Sequence, residues 1–219
     1  MPESRMRIGV LASGRGSNLQ AIIDAIEKRT LDANLAVVIS NKAEAPALER
    51  ARRHGTPAVF LDPKTTADRE AYDRVILEQL RRYDVELVAL AGYMKIVTSV
   101  LIEAYANRIM NIHPSLLPAF PGLAAQKQAL DWGVKVSGCT VHFVTEGVDA
   151  GPIIRQMALP ILEEDTEETL AGRILLEEHR IYPQALQLFA EKRLTIEGRK
   201  VRIRENKSPH GASLLASDS

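Results

Sequence analysis

Two groups of residues in this sequence have the types and spacing that chemistry needs. Asn111-Ile112-His113 sets an amide and an imidazole two positions apart. On an extended strand both side chains emerge on one face. An amide N–H beside a protonated imidazole can stabilise an oxyanion, and the imidazole can move a proton. The second group is the loop Ser13-Gly14-Arg15-Gly16-Ser17-Asn18. Its glycines let backbone N–H groups approach an anion, and a helix starting there adds positive potential. A phosphate monoester is the ligand that suits it. Each group also has a plainer reading: a histidine bonded to a backbone carbonyl at a strand end, and a turn that merely caps a helix. Asp149, in Glu146-Gly147-Val148-Asp149-Ala150-Gly151-Pro152, reads by itself as a turn residue. Placed against His113, it would orient the ring and hold it charged.

The elements that must position these residues follow from periodicity. Short apolar runs at Arg7–Ala12, Leu35–Ser40, Thr56–Leu61, Glu86–Ala91 and Arg108–Ile112 read as strands. Helical spacing follows Ser17 through Leu19, Ile22, Ile23 and Ile26, and returns over Ala45–His54 and Asp68–Tyr83. Strands alternating with helices imply an α/β fold: a Rossmann-like, mostly parallel sheet with helices on both faces. Ligands in such sheets bind beyond the carboxyl ends of the strands, which is where the Ser13–Asn18 loop and Asn111-x-His113 fall. The second half is less regular. Pro114, Pro118 and Pro121 exclude a helix or central strand there, leaving a rigid loop. A short helix near Ala124–Asp131, strands over Ser137–Val144 and Pro152–Leu159, a helix over Thr166–Lys192 with a break at Pro183, and a last strand at Lys200–Arg204 complete the expectation. No linker divides the chain. A single domain with a cleft is expected over 1–205, its N-terminal half phosphate-binding, followed by a flexible tail over 206–219.

Composition excludes several classes. The 219 residues carry 28 Lys plus Arg and 28 Asp plus Glu. A net charge of zero argues against a nucleic-acid binder. The one cysteine, Cys139, permits no intrachain disulfide and no cysteine-based metal cluster, and points to a reducing compartment. No apolar run approaches the roughly 18 residues of a membrane span, so no membrane partner and a cytoplasmic location are expected. His54, His142, His179 and His210 lack metal-ligand spacing, so no metal is expected. Leu19 stands where the dinucleotide fingerprint needs a third glycine, and no acidic residue follows the second strand, which disfavours a dehydrogenase.

In combination, ordered blocks of this sequence resemble the phosphoribosylglycinamide formyltransferase family, the folate-dependent formyl-transfer enzymes of purine synthesis. The blocks are LASGRGSNLQAIIDA (11–25), ISNKAEAPALERA (39–51), REAYDR (69–74), LAGYMKI (90–96), NIHPSLLPAFPG (111–122), TVHFV (140–144), VDAGPII (148–154) and EEHRIYP (177–183). The resemblance implies a formyltransferase fold whose C-terminal half binds folate. It implies 10-formyltetrahydrofolate as co-substrate, glycinamide ribonucleotide as acceptor, and a monomer or homodimer. It assigns catalysis to Asn111, His113 and Asp149. It seats the ribosyl phosphate on Gly16, Ser17 and Asn18, the ribose against Glu178, and makes Arg69 a helper of phosphate or loop order. It lays the pterin against Tyr93, Met94, Lys95, Ile96, Val97 and Val144, and marks Leu117-Pro118 as a candidate cis peptide.

One position departs from the family pattern. Ala124 stands where relatives carry a histidine after Pro-Gly-x, and a methyl cannot hydrogen-bond; Gln126 is the nearest side chain that could substitute. Two alternatives share parts of the pattern: a formyltetrahydrofolate hydrolase, and a nonenzymatic folate- or nucleotide-binding module. The module would keep the phosphate loop without the Asn111, His113 and Asp149 trio.

Overall fold

The computed structural model describes residues 5–205. In chain order the elements are β1 (Met6–Ala12), α1 (Ser17–Glu27), β2 (Ala33–Ser40), α2 (Pro46–Arg53), β3 (Ala58–Phe60), α3 (Arg69–Arg82), β4 (Leu87–Leu90), α4 (Ser99–Ala104), β5 (Ile109–His113), α5 (Ala125–Trp132), β6 (Val136–Phe143), β7 (Ile153–Pro160), α6 (Glu167–Ala190), β8 (Leu194–Glu197) and β9 (Lys200–Ile203). The strands form one nine-stranded sheet in the order β3-β2-β1-β4-β5-β6-β7-β9-β8. From β3 to β5 every pairing is parallel. The β5–β6 and β6–β7 pairings are antiparallel. The expected mostly parallel sheet between two helical layers is the observed architecture.

Alternation along β1 shows how the two layers are built. Ile8, Val10 and Ala12 join one core with Leu19 and Ile22 of α1 and Ile174 and Tyr182 of α6. Leu11, on the opposite face, joins the other core with Tyr72, Ile76 and Leu80 of α3 and Leu101 of α4. A strand covered on both faces must be apolar at every position, which is why these strands read as continuous runs. Strand order reverses between β1 and β4, so the loops after β1, β4 and β5 open into one crevice.

One local expectation is corrected and two elements are added. Pro183 does not break the last helix: α6 runs 24 residues through it. A proline inside a helix costs on the order of 3 kcal/mol, but neighbouring Ile181, Tyr182, Ala185 and Leu186 are buried. Their packing, on the scale of about 1.5–3 kcal/mol per large side chain, outweighs it. Tyr182 also ties α6 to the sheet, donating its hydroxyl toward Leu90 O at 3.0 Å and Met110 O at 2.9 Å. Helix α4 and strand β8 are additions to the sequence reading. The residue that precedes the short α4 is held from a distance, because Asp73 Oδ2 accepts both Thr98 N–H and Thr98 Oγ1–H. Strand β8 exists as a hairpin with β9 around Gly198. The flexible tail expected over 206–219 lies outside the described residues.

Candidate active site

The phosphate-loop candidate turns from β1 into α1. Gly16 caps α1 with φ 71, a left-handed conformation that glycine adopts without cost. A Cβ there would lie 2.9 Å from Ala47 Cα and Cβ, so α2 also demands glycine. The loop is braced from α2, where Ala47 N–H donates to Gly14 O at 3.2 Å and Arg50 Nε to Arg15 O at 2.9 Å. Asn18 points inward and donates through Nδ2 to Glu178 Oε2 of α6 at 2.7 Å. Both side chains are buried. Burial pushes the Glu178 carboxyl up to about 7, against the lowering effect of the Asn18 hydrogen bond. The other amide atom, Asn18 Oδ1, is buried with no partner.

A second cluster forms where β5 meets β6. Antiparallel register sets Asn111 opposite His142 and His113 opposite Thr140. His113 is 5% exposed and sits between two oxygens. Its Nε2 lies 2.9 Å from Phe120 O, and its Nδ1 lies 3.3 Å from Asp149 Oδ2. The carbonyl-bonded histidine and the carboxylate-paired histidine are therefore the same side chain. Asp149 Oδ2 also accepts Gly122 N–H at 2.8 Å, and Oδ1 accepts Asn111 Nδ2 at 3.4 Å. Burial favours protonating Asp149. The His142 side chain, the Gly122 N–H and the neighbouring imidazoles outweigh it and hold the carboxyl below its ordinary value. Asp149 reaches this position with φ 50, a conformation that Asp and Asn tolerate better than other side chains. Gly151 follows so close to β6 that a Cβ would sit 1.8 Å from Phe143 O.

The proline loop between His113 and Gly122 is held from beneath. Thr140 Oγ1 donates to Ser115 O at 2.6 Å and accepts Leu117 N–H at 3.1 Å. Gln156 Nε2 donates to Leu117 O at 2.9 Å. The Leu117-Pro118 bond is cis. A cavity of about 510 Å³ opens above the cluster. Asn111, His113 and Asp149 line it together with Tyr93, Met94, Lys95, Ile96, Val97 and Val144. Much of the wall is apolar: Met94, Ile96, Leu123 and Val148 expose large side chains.

Comparison with known proteins decides what this arrangement belongs to. Residues 6–186 match the family described as Formyl transferase. The chain belongs to the formyl transferase family. It is 46% identical over 181 residues to the phosphoribosylglycinamide formyltransferase of Bacillus subtilis, covering 83% of this chain and 93% of that one. The crystal structure of glycinamide ribonucleotide transformylase 1 from Symbiobacterium toebii superposes with a TM-score of 0.92 at 59% identity, over 93% of this chain and 96% of that one. A formyltetrahydrofolate deformylase from Pseudomonas syringae is more distant, at 30% identity and a TM-score of 0.85, over 93% of this chain and 67% of that one. The chain spans only 18% of a longer relative, the trifunctional purine biosynthetic protein of Bos taurus.

In this formyl transferase the expected trio converges, and every residue expected on the pterin wall lines the cavity. Gly16, Ser17 and Asn18 share the start of α1, and Asn18 meets Glu178. Arg69 stands apart, exposed at the first turn of α3 and lining neither this cavity nor the groove between α1 and α6. Ala124 lines the cavity with φ 55 and caps α5 without a side-chain bond. Gln126 does not line the cavity; Gln128 is the side chain that turns back, donating to Leu123 O at 2.8 Å. Sequence reading set His142 aside. Its Nδ1 faces Phe143 O at 2.8 Å, and its Nε2 lies 3.2 Å from Asn111 Nδ2 and 3.6 Å from Asp149 Oδ1, so the ring packs against both residues. Only the cross-strand register could have found it. Among the described residues no group of three His, Cys, Asp or Glu is placed to hold a metal.

Proposed function

We infer that this formyl transferase moves the formyl group of 10-formyltetrahydrofolate to the amine of glycinamide ribonucleotide, a step of purine biosynthesis. The observation that carries the reading is His113, buried in an apolar-walled cavity against the Asp149 carboxylate, which also accepts the amide of Asn111. The cavity suits the folate co-substrate, which supplies an activated formyl carbon. The phosphate loop and Glu178 suit the acceptor: Gly16, Ser17 and Asn18 would take its phosphate on backbone N–H groups, and Glu178 its ribose hydroxyls. Arg69 is assigned to the order of the neighbouring loop rather than to direct contact.

The roles of the trio follow from their bonds. Asn111 and His113 donate to the oxyanion that forms when the amine adds to the formyl carbon, His113 through the Nε2 that faces Phe120 O in the free protein. The 3.4 Å bond from Asn111 to Asp149 is the long one, and is the one a formyl oxygen would replace. Asp149 holds the ring orientation through Nδ1 and balances its charge. As the carbon–nitrogen bond to the folate breaks, the proton that the attacking amine sheds is relayed through His113 to the departing folate nitrogen. A reducing, cytoplasmic setting accords with a single buried cysteine.

The deciding assay is product formation from 10-formyltetrahydrofolate with and without glycinamide ribonucleotide. Acceptor-dependent formyl transfer is expected. Formate release without acceptor, and no transfer with it, would overturn the reading in favour of hydrolysis.

A further inference from the structure

Ser13 ends β1 and opens the phosphate loop. It is 2% exposed. Its Oγ donates to Asn41 Oδ1 at 2.5 Å and accepts Met94 N–H at 2.8 Å. Its own N–H donates to Gly92 O at 3.0 Å. A serine hydroxyl has one proton and two lone pairs. Because Asn41 takes the proton, the direction of the lone pair facing Met94 is fixed. Met94 belongs to the wall of the 510 Å³ cavity. The far end of that wall is anchored separately, through Asp73 Oδ2 to Thr98 N–H at 2.6 Å and Thr98 Oγ1 at 2.8 Å. The rest of the phosphate loop is braced from α2, by Ala47 and Arg50, on the side away from the wall. Ser13 is thus where the loop and the wall are tied, by one backbone and one side-chain hydrogen bond.

We propose that Ser13 is a positioning residue that couples the two substrate sites, so that ribonucleotide and folate each bind more tightly in the presence of the other. This rests on the placement of phosphate and folate given above. A phosphate on Gly16–Asn18 fixes the loop that carries Ser13, and the fixed Oγ holds Met94 and the near end of the wall. A folate against the wall acts in the reverse direction. The ligand that arrives first sets loop and wall in the register that both sites need, and the second meets them already so placed. The factor is the same whichever ligand binds first.

The test is calorimetric titration of glycinamide ribonucleotide into the protein alone and into protein saturated with tetrahydrofolate, the deformylated co-product. Wild type is expected to bind at least about 5-fold more tightly when tetrahydrofolate is present. In Ser13→Ala the factor falls below about 2-fold, with KM for both substrates raised more than kcat is lowered. Asn41→Ala keeps the Met94 bond but frees the hydroxyl to rotate, so its factor falls between the two. Either a wild-type factor below about 2-fold, or a folded Ser13→Ala with the wild-type factor, overturns the proposal. Ser17→Asp separates this from the underlying reading, because a carboxylate on the loop should weaken ribonucleotide binding to the protein alone at least about 100-fold. Unchanged binding there refutes the phosphate site and the coupling with it. Lost binding there, with coupling retained in Ser13→Ala, refutes the coupling alone.

Discussion

Replacing Glu178 by Gln separates the stability of this protein from its proposed activity. Glu178 is 6% exposed, and its carboxyl is pushed up to about 7 from an ordinary value of 4.5. The folded state therefore holds a proton that the unfolded state releases over that interval. Stability is full below the unfolded value and falls as pH rises toward the folded one. The slope is about 1.4 kcal/mol per pH unit, so between about pH 5 and about pH 8 the loss is roughly 2–3 kcal/mol. Glu178→Gln keeps the shape and an acceptor for Asn18 Nδ2, but has no proton to lose. Urea unfolding of both proteins measures the difference. Near pH 5 the two midpoints should nearly coincide; near pH 8 the variant should be more stable by roughly 2–3 kcal/mol, or about 4–12 °C in Tm for a chain of this size. Assayed near pH 8, where the carboxyl is ionised, the same variant should raise KM for the ribonucleotide about 10-fold or more, because a charged acceptor for the ribose hydroxyls is gone. A stability difference that does not change between the two pH values would refute the argument that burial of Glu178 is the cause.

Three further outcomes test the cluster around His113. Asn111→Ala should lower kcat on the order of 100–1,000-fold with the fold retained, the cost of one oxyanion donor; wild-type turnover in the folded variant would remove Asn111 from the mechanism. Asp149→Asn keeps a residue that tolerates φ 50 but removes the negative charge, and should lower kcat by at least about 100-fold with KM little changed. The Asp149 carboxyl is held low, so its stabilising contribution is present above the ordinary carboxylate range and lost as pH falls through its lowered value. Wild type and Asp149→Asn should therefore converge in unfolding midpoint toward acid, and a constant gap would count against the charge pairing. His142→Phe preserves the ring volume but frees the Asn111 amide, and should lower kcat about 10-fold, equivalent to one neutral hydrogen bond; an unchanged kcat would show that Asn111 is oriented without it.

The periodic part of the architecture was legible before any coordinates. Strands buried on both faces are unbroken apolar runs, and α1 and α3 carry apolar residues at helical spacing, so β1 through β4 and the helices between them follow from local pattern. Asn111 and His113 share a strand face because side chains alternate, and the Ser13–Asn18 loop lies at a strand's carboxyl end because strand and helix bracket it. Pro183 misled because the cost of an interior proline is local, whereas the burial that outweighs it comes from the sheet beneath α6. The helix α4 was missed because it is only six residues long and its start is anchored through Thr98 to Asp73, 25 positions away.

What the sequence determined, then, is which chemical groups exist and which neighbours along the chain share a face. Tertiary structure alone decided that Asp149 lies 3.3 Å from His113 Nδ1, that His142 stands opposite Asn111, and that Asn18 meets Glu178 across 160 positions. These contacts depend on the antiparallel register of β5 against β6 and on the packing of α6 against α1. Both are fixed by how whole faces pack, and neither leaves a period or spacing in the sequence to be read.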